Sequence, residues 1–148
     1  MQYAAKISHE GKHVLAEFPD CPGCQTFVER GADIAAAAHE ALEGWLESML
    51  ANGEVPPRPR ARPKQPGKII LVSVPQRIGV KLALRWARQD AGLSQAQLAK
   101  LAGVTRPAIA QLEDPDSNAT VVTLEKVAAA LGYDLDIAFR RGGSTLRA

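Results

Sequence analysis

The 148-residue chain carries 18 Lys and Arg against 16 Asp and Glu, a net charge of +2, and its share of apolar residue types (46%) is ordinary for a globular protein. No segment approaches the roughly 20 apolar residues that span a bilayer. Two cysteines are too few for a secreted disulfide scaffold, and the start lacks the basic-then-apolar order of a signal peptide. We therefore expect a cytoplasmic protein of one domain or two small ones, with no membrane partner.

The charges are unevenly distributed along the chain. Residues 1–55 carry three basic side chains against nine acidic ones, a balance of −6, whereas residues 56–68 contribute +5 and residues 69–148 contribute +3. An acidic half repels nucleic acid and attracts basic proteins, and a basic half does the reverse. This asymmetry predicts a different partner for each half.

The first half, residues 1–55, reads as three strands followed by a helix. Alternating apolar residues predict strands at 2–8 and 12–18, joined by a turn at His9–Gly11, and a third strand at 25–29. Asp33 is a good N-cap for a long helix that Asn52–Gly53 would end. The predicted inner stripe of this helix is Ile34, Ala38, Leu42, Trp45 and Met49.

A proline- and arginine-rich segment at 56–67 separates the two halves. Its prolines favour an extended, semi-rigid and solvated linker. Residues 68–75 (KIILVSVP) then predict a strand. Because this strand is apolar on both faces, we expect it to pair either with the sheet of the first half or with a partner chain.

Residues 76–140 predict a helical domain that ends in a strand. A helix at 76–91 would turn Ile78, Leu82 and Ala83 inward, and a later helix capped by Thr123 has an apolar stripe. Asp134–Phe139 alternates like an amphipathic strand, which needs a partner for its backbone, and a two-fold mate would supply one. Residues 141–148 read as a disordered tail. The inner residues of the later helix are Leu124, Val127, Ala128 and Leu131.

Residues 93–113 (LSQAQLAKLAGVTRPAIAQLE) predict two short helices joined by a tight turn. Ser94 and Thr105 are placed to cap them, Gly103 can adopt the left-handed conformation of the turn, and Val104 can fill the corner. Such a unit is a helix-turn-helix, although a generic pair of helices with a solvated face would show part of the same pattern. The expected inner residues are Leu98, Leu101, Ala102, Ile109 and Leu112.

The stretch resembles the phage-repressor-like helix-turn-helix family, which binds DNA. Arg can contact guanine and Gln can contact adenine through two hydrogen bonds each. Pro107 departs from the family pattern because it cannot donate to a base, so base recognition would depend on Arg106 and Gln111. The candidate DNA-binding residues are Gln95, Thr105, Arg106, Pro107, Ala108 and Gln111.

The first half resembles the HicB antitoxins in the order strand–strand–FPDCPGC–strand–helix and in the helix ending ANGEVPPRP. The resemblance implies an α+β fold: a partial ribonuclease-H-like βββαβ domain joined to an all-α helix-turn-helix domain with a terminal dimerisation strand. It also implies an antitoxin, a dimer or dimer of dimers, that blocks a small basic HicA-like messenger-RNA-cleaving toxin and represses its own operon. By the same analogy the toxin-binding residues are Phe18, Pro19, Asp20, Pro22, Gly23 and Cys24.

Other functions are weaker interpretations of the same residues. Cys21 and Cys24 have a C-x-x-C spacing, but no second pair completes a zinc site, so we expect structural cysteines and no metal or cofactor. Residues 2–8 contain no carboxylate, so the carboxylate cluster that a metal-dependent ribonuclease needs is missing and we expect no enzyme. The competing hypothesis is a dimeric repressor whose first half senses a ligand or a protein, but so small a domain has little room for a cavity of about 300 Å³.

Overall fold

The computed structural model describes residues 1–60 and 67–139 and confirms a mixed α+β protein. An N-terminal antiparallel sheet with one helix precedes four further helices in the described residues. The predicted tail at 141–148 and residues 61–66 of the predicted linker lie outside the described residues. The elements are β1 (Gln2–Glu10), β2 (His13–Glu17), β3 (Gln25–Glu29), α1 (Ile34–Ala51), β4 (Lys68–Ser73), α2 (Gln76–Asp90), α3 (Gln95–Ala102), α4 (Arg106–Glu113) and α5 (Val121–Ala130).

The four strands form one sheet in the order β3-β2-β1-β4, and every neighbouring pair is antiparallel. β1 continues through Glu10, two residues beyond the predicted strand, because Gly11 rather than His9 makes the turn, with a φ of 56°. β4 pairs with β1 of the same chain. It lies at the edge of the sheet and is buried on one face only, since Val72 is buried whereas Leu71 is 60% exposed.

Helix α1 packs on one face of this sheet. Asp33 caps it, and its Oδ1 accepts hydrogen bonds from the amides of Ala35 (3.0 Å) and Ala36 (3.1 Å). The predicted inner stripe is wrong in its second half, since Trp45 is only partly buried and Met49 is half-exposed. The buried residues instead keep an i+4 spacing, which defines a row inclined to the helix axis. They are Ala38, Leu42, Leu46 and Leu50.

The described part of the proline-rich linker is hydrogen-bonded to both halves, although Pro57, Arg58 and Arg60 are exposed. The hydroxyl of Tyr3 donates to the carbonyl of Pro57 (2.6 Å), and the indole of Trp86 donates to the carbonyl of Pro56 (2.8 Å). Pro56 itself is fully buried. Buried Tyr and Trp side chains need an acceptor for their polar hydrogen, and an extended proline segment offers a row of carbonyls.

Helix α2 belongs to two hydrophobic cores. Ile78 and Leu82 pack in the core beneath the sheet, and Leu84 packs in a second core with α3, α4 and α5. Ala83, predicted to face inward, is exposed because it lies ~140° around the helix from Ile78 at about 100° per residue. The single helix therefore joins the two halves through its opposite sides.

The end of the chain departs from prediction in two places. Helix α5 begins at Val121, and Thr120 rather than Thr123 caps it by accepting the amide of Thr123 (3.3 Å). The sequence does not predict a helix start at Val121, because Val121 and Val122 are β-branched and have low helix propensity. The predicted strand at 134–139 is not a strand in the single chain that the structure describes.

Buried Arg85 joins α2 to the ends of α1 and α4. Its side chain is 6% exposed and donates to the carbonyls of Leu50 (2.9 Å), Glu54 (2.8 Å) and Glu113 (3.1 Å). Burial lowers the pKa of the Arg85 guanidinium, and the nearby Glu113 carboxylate opposes that shift. One side chain thus joins the end of α1, the residues just after it and the end of α4.

Replacing Arg85 by Ala should lower the free energy of unfolding by about 3–5 kcal/mol, since it removes a buried charge from beside Glu113 and takes a donor from the carbonyls of Glu54 and Glu113. The carbonyl of Leu50 would keep the amide of Gly53 as a donor. Urea unfolding followed by circular dichroism would measure the loss. Arg77→Ala is the matched control, because Arg77 is exposed and pairs with Glu43 and Glu47 on the surface. Equal losses in the two variants would contradict the role given to Arg85.

Candidate nucleic-acid interface

The start of α3 is held by a capping box. The hydroxyl of Ser94 accepts from the amide of Gln97 (3.1 Å), and Gln97 Oε1 accepts from the amide of Ser94 (2.8 Å). The prediction of Ser94 as cap is confirmed. The role of Gln97 was missed, although Ser-x-x-Gln is the sequence signature of such a box.

The turn between α3 and α4 has the predicted glycine. Gly103 has φ 66° and ψ 32°, in the left-handed region. A Cβ at this position would meet no atom within 4 Å, so glycine is favoured here by backbone conformation rather than by space. Val104 packs against the second core, as predicted.

The inner face of α3 differs from the predicted one. Leu98 and Ala99 are buried and Ala102 is partly buried, whereas Leu101 is 60% exposed. At about 100° per residue, Leu98, Ala99 and Ala102 lie within one sector of the helix surface, and Leu101 lies outside that sector. Leu101 therefore lies on the surface of the helix-turn-helix rather than within it.

Helix α4 presents a polar face next to its buried one. Thr105 caps it by accepting from the amide of Ala108 (3.3 Å), and Ile109 and Leu112 are buried as predicted. Ala108 is half-buried rather than outward. The exposed residues are Thr105, Arg106, Pro107, Ala110 and Gln111.

A buried carboxylate fixes α4 to α2 and α3. Glu113 is 1% exposed and accepts from Arg88 through both oxygens, at 2.6 Å and 2.9 Å. Gln95 Nε2 also donates to Glu113 (3.0 Å). The sequence analysis missed Arg88 and Glu113, although Glu113 lies four residues after Ile109, where the apolar stripe of α4 would continue.

The contact with Glu113 orients Gln95 without using all of its hydrogen-bonding groups. Gln95 is half-buried, and its amide keeps a second N–H and an acceptor oxygen. The side chain lies at the N-terminus of α3, where backbone amides favour anions. This geometry suits a contact with a phosphate as well as with a base.

The predicted toxin-binding loop is largely part of the core beneath the sheet. Phe18, Asp20 and Cys24 are buried, Pro19 is half-buried, and Pro22 and Gly23 are exposed. Asp20 accepts from the amide of Arg60 (2.9 Å), so the loop also holds the linker in place. A partner could reach this loop directly only through its exposed tip and part of Pro19.

The two cysteines of this loop are free and buried. Burial raises the pKa of Cys21 to about 12 and the pKa of Cys24 to about 11, so both are neutral thiols at physiological pH. Across residues 1–60 and 67–139, no three His, Cys, Asp or Glu side chains are grouped as a metal site would require. Within the same residues no helix is long and apolar enough to cross a membrane.

Comparison with known proteins identifies the second half. Residues 84–137, from within α2 to beyond α5, match the family described as helix-turn-helix. A Haemophilus influenzae protein named as an uncharacterized HTH-type transcriptional regulator is 41% identical over 61 residues, which are 41% of this chain and 62% of that protein. The chain thus spans less than two thirds of this relative. The predicted helix-turn-helix is confirmed, and residues 84–137 form a DNA-binding domain of this type.

Replacing Arg106 by Ala should weaken binding to the specific operator by about 1–3 kcal/mol if this side chain contacts a base. Binding to unrelated DNA should weaken much less. Fluorescence anisotropy with both duplexes at fixed salt would measure the difference, with Lys126→Ala on α5 as a control that loses the same charge. Equal weakening on both duplexes would instead assign Arg106 to a phosphate.

Proposed function

We propose that the chain is a transcriptional regulator that binds operator DNA through residues 84–137 and inhibits a small basic toxin through its first half. One observation supports the proposed DNA binding: α4 packs on the second core through one face and leaves its other face exposed. Arg106 and Gln111 supply side-chain hydrogen bonds, and Ala110 leaves room for the helix in a major groove. Autorepression of its own operon is the regulatory role we propose.

The antitoxin role is proposed from the resemblance of the first half to the HicB antitoxins. The element order βββαβ, which that resemblance implies, supports it, as does the acidic balance of residues 1–55. Complementary charge would speed association with a basic HicA-like toxin and compete with RNA phosphates for its surface. Because the DNA and messenger RNA concerned are intracellular, we propose the cytoplasm as the place of action.

We also propose that the chain inhibits RNA cleavage rather than performing it. In β1 the acidic residue is Glu10, at the exposed end of the strand. Two-metal nucleases need carboxylates close enough to share ions about 3.5–4 Å apart. The side chains that β1 places in the core, such as Tyr3, Ala5 and Ile7, offer no such ligands.

The C-terminal segment supports a dimer as the DNA-binding form. Leu135 is half-buried in an apolar groove of about 430 Å³ between α2 and α5, next to Trp86 and Leu131, whereas Ile137 is 56% exposed and Phe139 fully exposed. A two-fold copy of residues 134–139 would pair the strand backbone and cover these side chains. A groove of this volume could also hold a small ligand, which supports a ligand-sensing repressor as the second candidate, with the ligand in the second half of the chain rather than in the first half, where the sequence placed it.

The double variant Ile137→Ser/Phe139→Ser should be monomeric at concentrations where the wild-type chain is dimeric, since it removes the apolar side chains of the proposed interface. Sedimentation equilibrium would measure the mass of each. Leu101→Ser is the control, because Leu101 is about as exposed as Ile137 but lies on α3. A wild-type chain that is monomeric throughout would contradict the dimer.

The antitoxin proposal is tested by affinity purification of the chain from its own cells at native expression. One half of the sample is treated with nuclease before mass identification of the proteins, and the other half is left untreated so that bound DNA can be sequenced. We expect a small basic protein in near-stoichiometric amount. The Arg106→Ala variant should recover the same protein, because the partner binds the first half and not the DNA. Recovery of operator DNA without any protein partner would make the chain a plain repressor and remove the toxin from the proposal.

A further inference from the structure

The sheet carries an aromatic side chain on the face opposite to α1. Phe27 of β3 is 66% exposed, and its ring packs edge-on against the imidazole of His13, with centroids 5.3 Å apart and planes at 85°. Leu15 of β2 lies directly opposite Phe27 in the strand register and is half-buried. These three side chains form a small, largely apolar surface at the β3 edge of the sheet, in which His13 and Leu15 flank the ring of Phe27.

Three carboxylates lie beside this apolar surface on the same face, where Lys6 of β1 also lies opposite Glu17 in the strand register. Glu29 lies opposite His13, Glu10 lies opposite His13 on the other side, and Glu17 follows Leu15 by two residues. All three are exposed, and none forms an ion pair with a residue that the structure describes. We call this surface the acidic patch: Phe27, Leu15 and His13 with Glu10, Glu17 and Glu29.

Resting on the function proposed above, we propose that the acidic patch is the surface through which the first half binds its basic protein partner. Aromatic residues are enriched in protein interfaces, and an exposed aromatic ring such as Phe27 contributes binding energy when a partner excludes water from it. The carboxylates beside it would steer a basic surface into place and pair with its Lys and Arg side chains.

The charges of the patch favour a basic partner over a second copy of this chain. A two-fold contact through Phe27 would bring Glu10, Glu17 and Glu29 of both copies together, and like charges in an interface are costly. A basic surface has no such penalty. The patch also includes residues of β3, one of the two edge strands of the described sheet, whose outer backbone groups are available to a strand of the partner.

The position of the patch differs from the loop that the resemblance indicated. Phe18 and Cys24 of that loop are buried side chains of the core, so they can support an interface but cannot form it. Phe27 was predicted only as part of a strand. Its exposure follows from the pleat, which turns Val28 toward α1 and Phe27 to the opposite face.

The test titrates the co-purified basic protein into the wild-type chain and into Phe27→Ser and Leu71→Ser by calorimetry. Leu71 is the matched control, because it is 60% exposed on the same face but at the β4 edge, away from the three carboxylates. We expect Phe27→Ser to weaken binding at least about tenfold, as loss of a central aromatic does. Leu71→Ser should change the Kd less than about threefold.

A second pair of variants separates the local charge from the net charge. Glu17→Lys/Glu29→Lys and Glu40→Lys/Glu54→Lys change the net charge equally, but Glu40 lies on α1 and Glu54 just after it. At low salt the first pair should slow association with the basic protein at least about tenfold more than the second, measured by stopped-flow. Equal slowing would overturn the local role of the patch.

The outcomes distinguish this proposal from the function on which it rests. If the basic protein binds the wild-type chain and Phe27→Ser as tightly as each other, the patch is wrong and the antitoxin role stands. If the mass of the free chain falls with Phe27→Ser, the patch joins two copies and the proposal is overturned. If the wild-type chain binds no basic protein, both proposals are overturned.

Discussion

The buried charges on α2 are the constraint on which the arrangement of the two halves depends. Arg88 pairs with Glu113 through two hydrogen bonds. The two terminal nitrogens of Arg85 donate to backbone carbonyls of α1, of the residues just after it and of α4, and its buried Nε lies 3.7 Å from Glu113 Oε2 without a hydrogen bond. A buried charge is costly unless it is fully paired, so these groups accept few alternative geometries. The end of α4 is therefore held to the same helix that packs beneath the sheet. Lys81, which donates to the carbonyls of Asp114 and Ser117, extends the same constraint to the loop after α4.

The linker reinforces this constraint instead of loosening it. A solvated proline segment would let the halves reorient, but the carbonyls of Pro56 and Pro57 each accept a hydrogen bond from a buried or half-buried aromatic side chain. One donor, Tyr3, comes from the sheet, and the other, Trp86, comes from α2. Arg58 lies over the ring of Trp86 at 5.5 Å and pairs with Asp90. A partner on the sheet would consequently be held in a defined position relative to the DNA-binding helices.

The features that the sequence predicts well depend on short-range chemistry. Ser94, Gly103 and Thr105 could be assigned because a cap or a left-handed turn needs only the residues within one helical turn. Leu101 could not, because which apolar residues of a short helix face inward depends on where the neighbouring helices lie. The docking of the linker needed even more distant information, since the donor to Pro56 is Trp86, 30 residues away. Strand alternation puts Phe27 and Val28 on opposite faces of the sheet. Which of the two faces is buried depends on the side on which α1 packs, and the sequence of the strand does not contain that information.

The two uncovered apolar surfaces differ in a way that indicates different partners. The acidic patch is small and flanked by carboxylates, a composition that penalises self-association and favours a basic protein. The C-terminal surface around Ile137 and Phe139 continues into an apolar groove that includes Leu135 and Leu131. Interfaces between identical subunits are more apolar than those between proteins that also exist apart. We infer that self-association at the C-terminus and partner binding at the sheet use separate surfaces, so that one chain can engage a mate, an operator and a basic protein together.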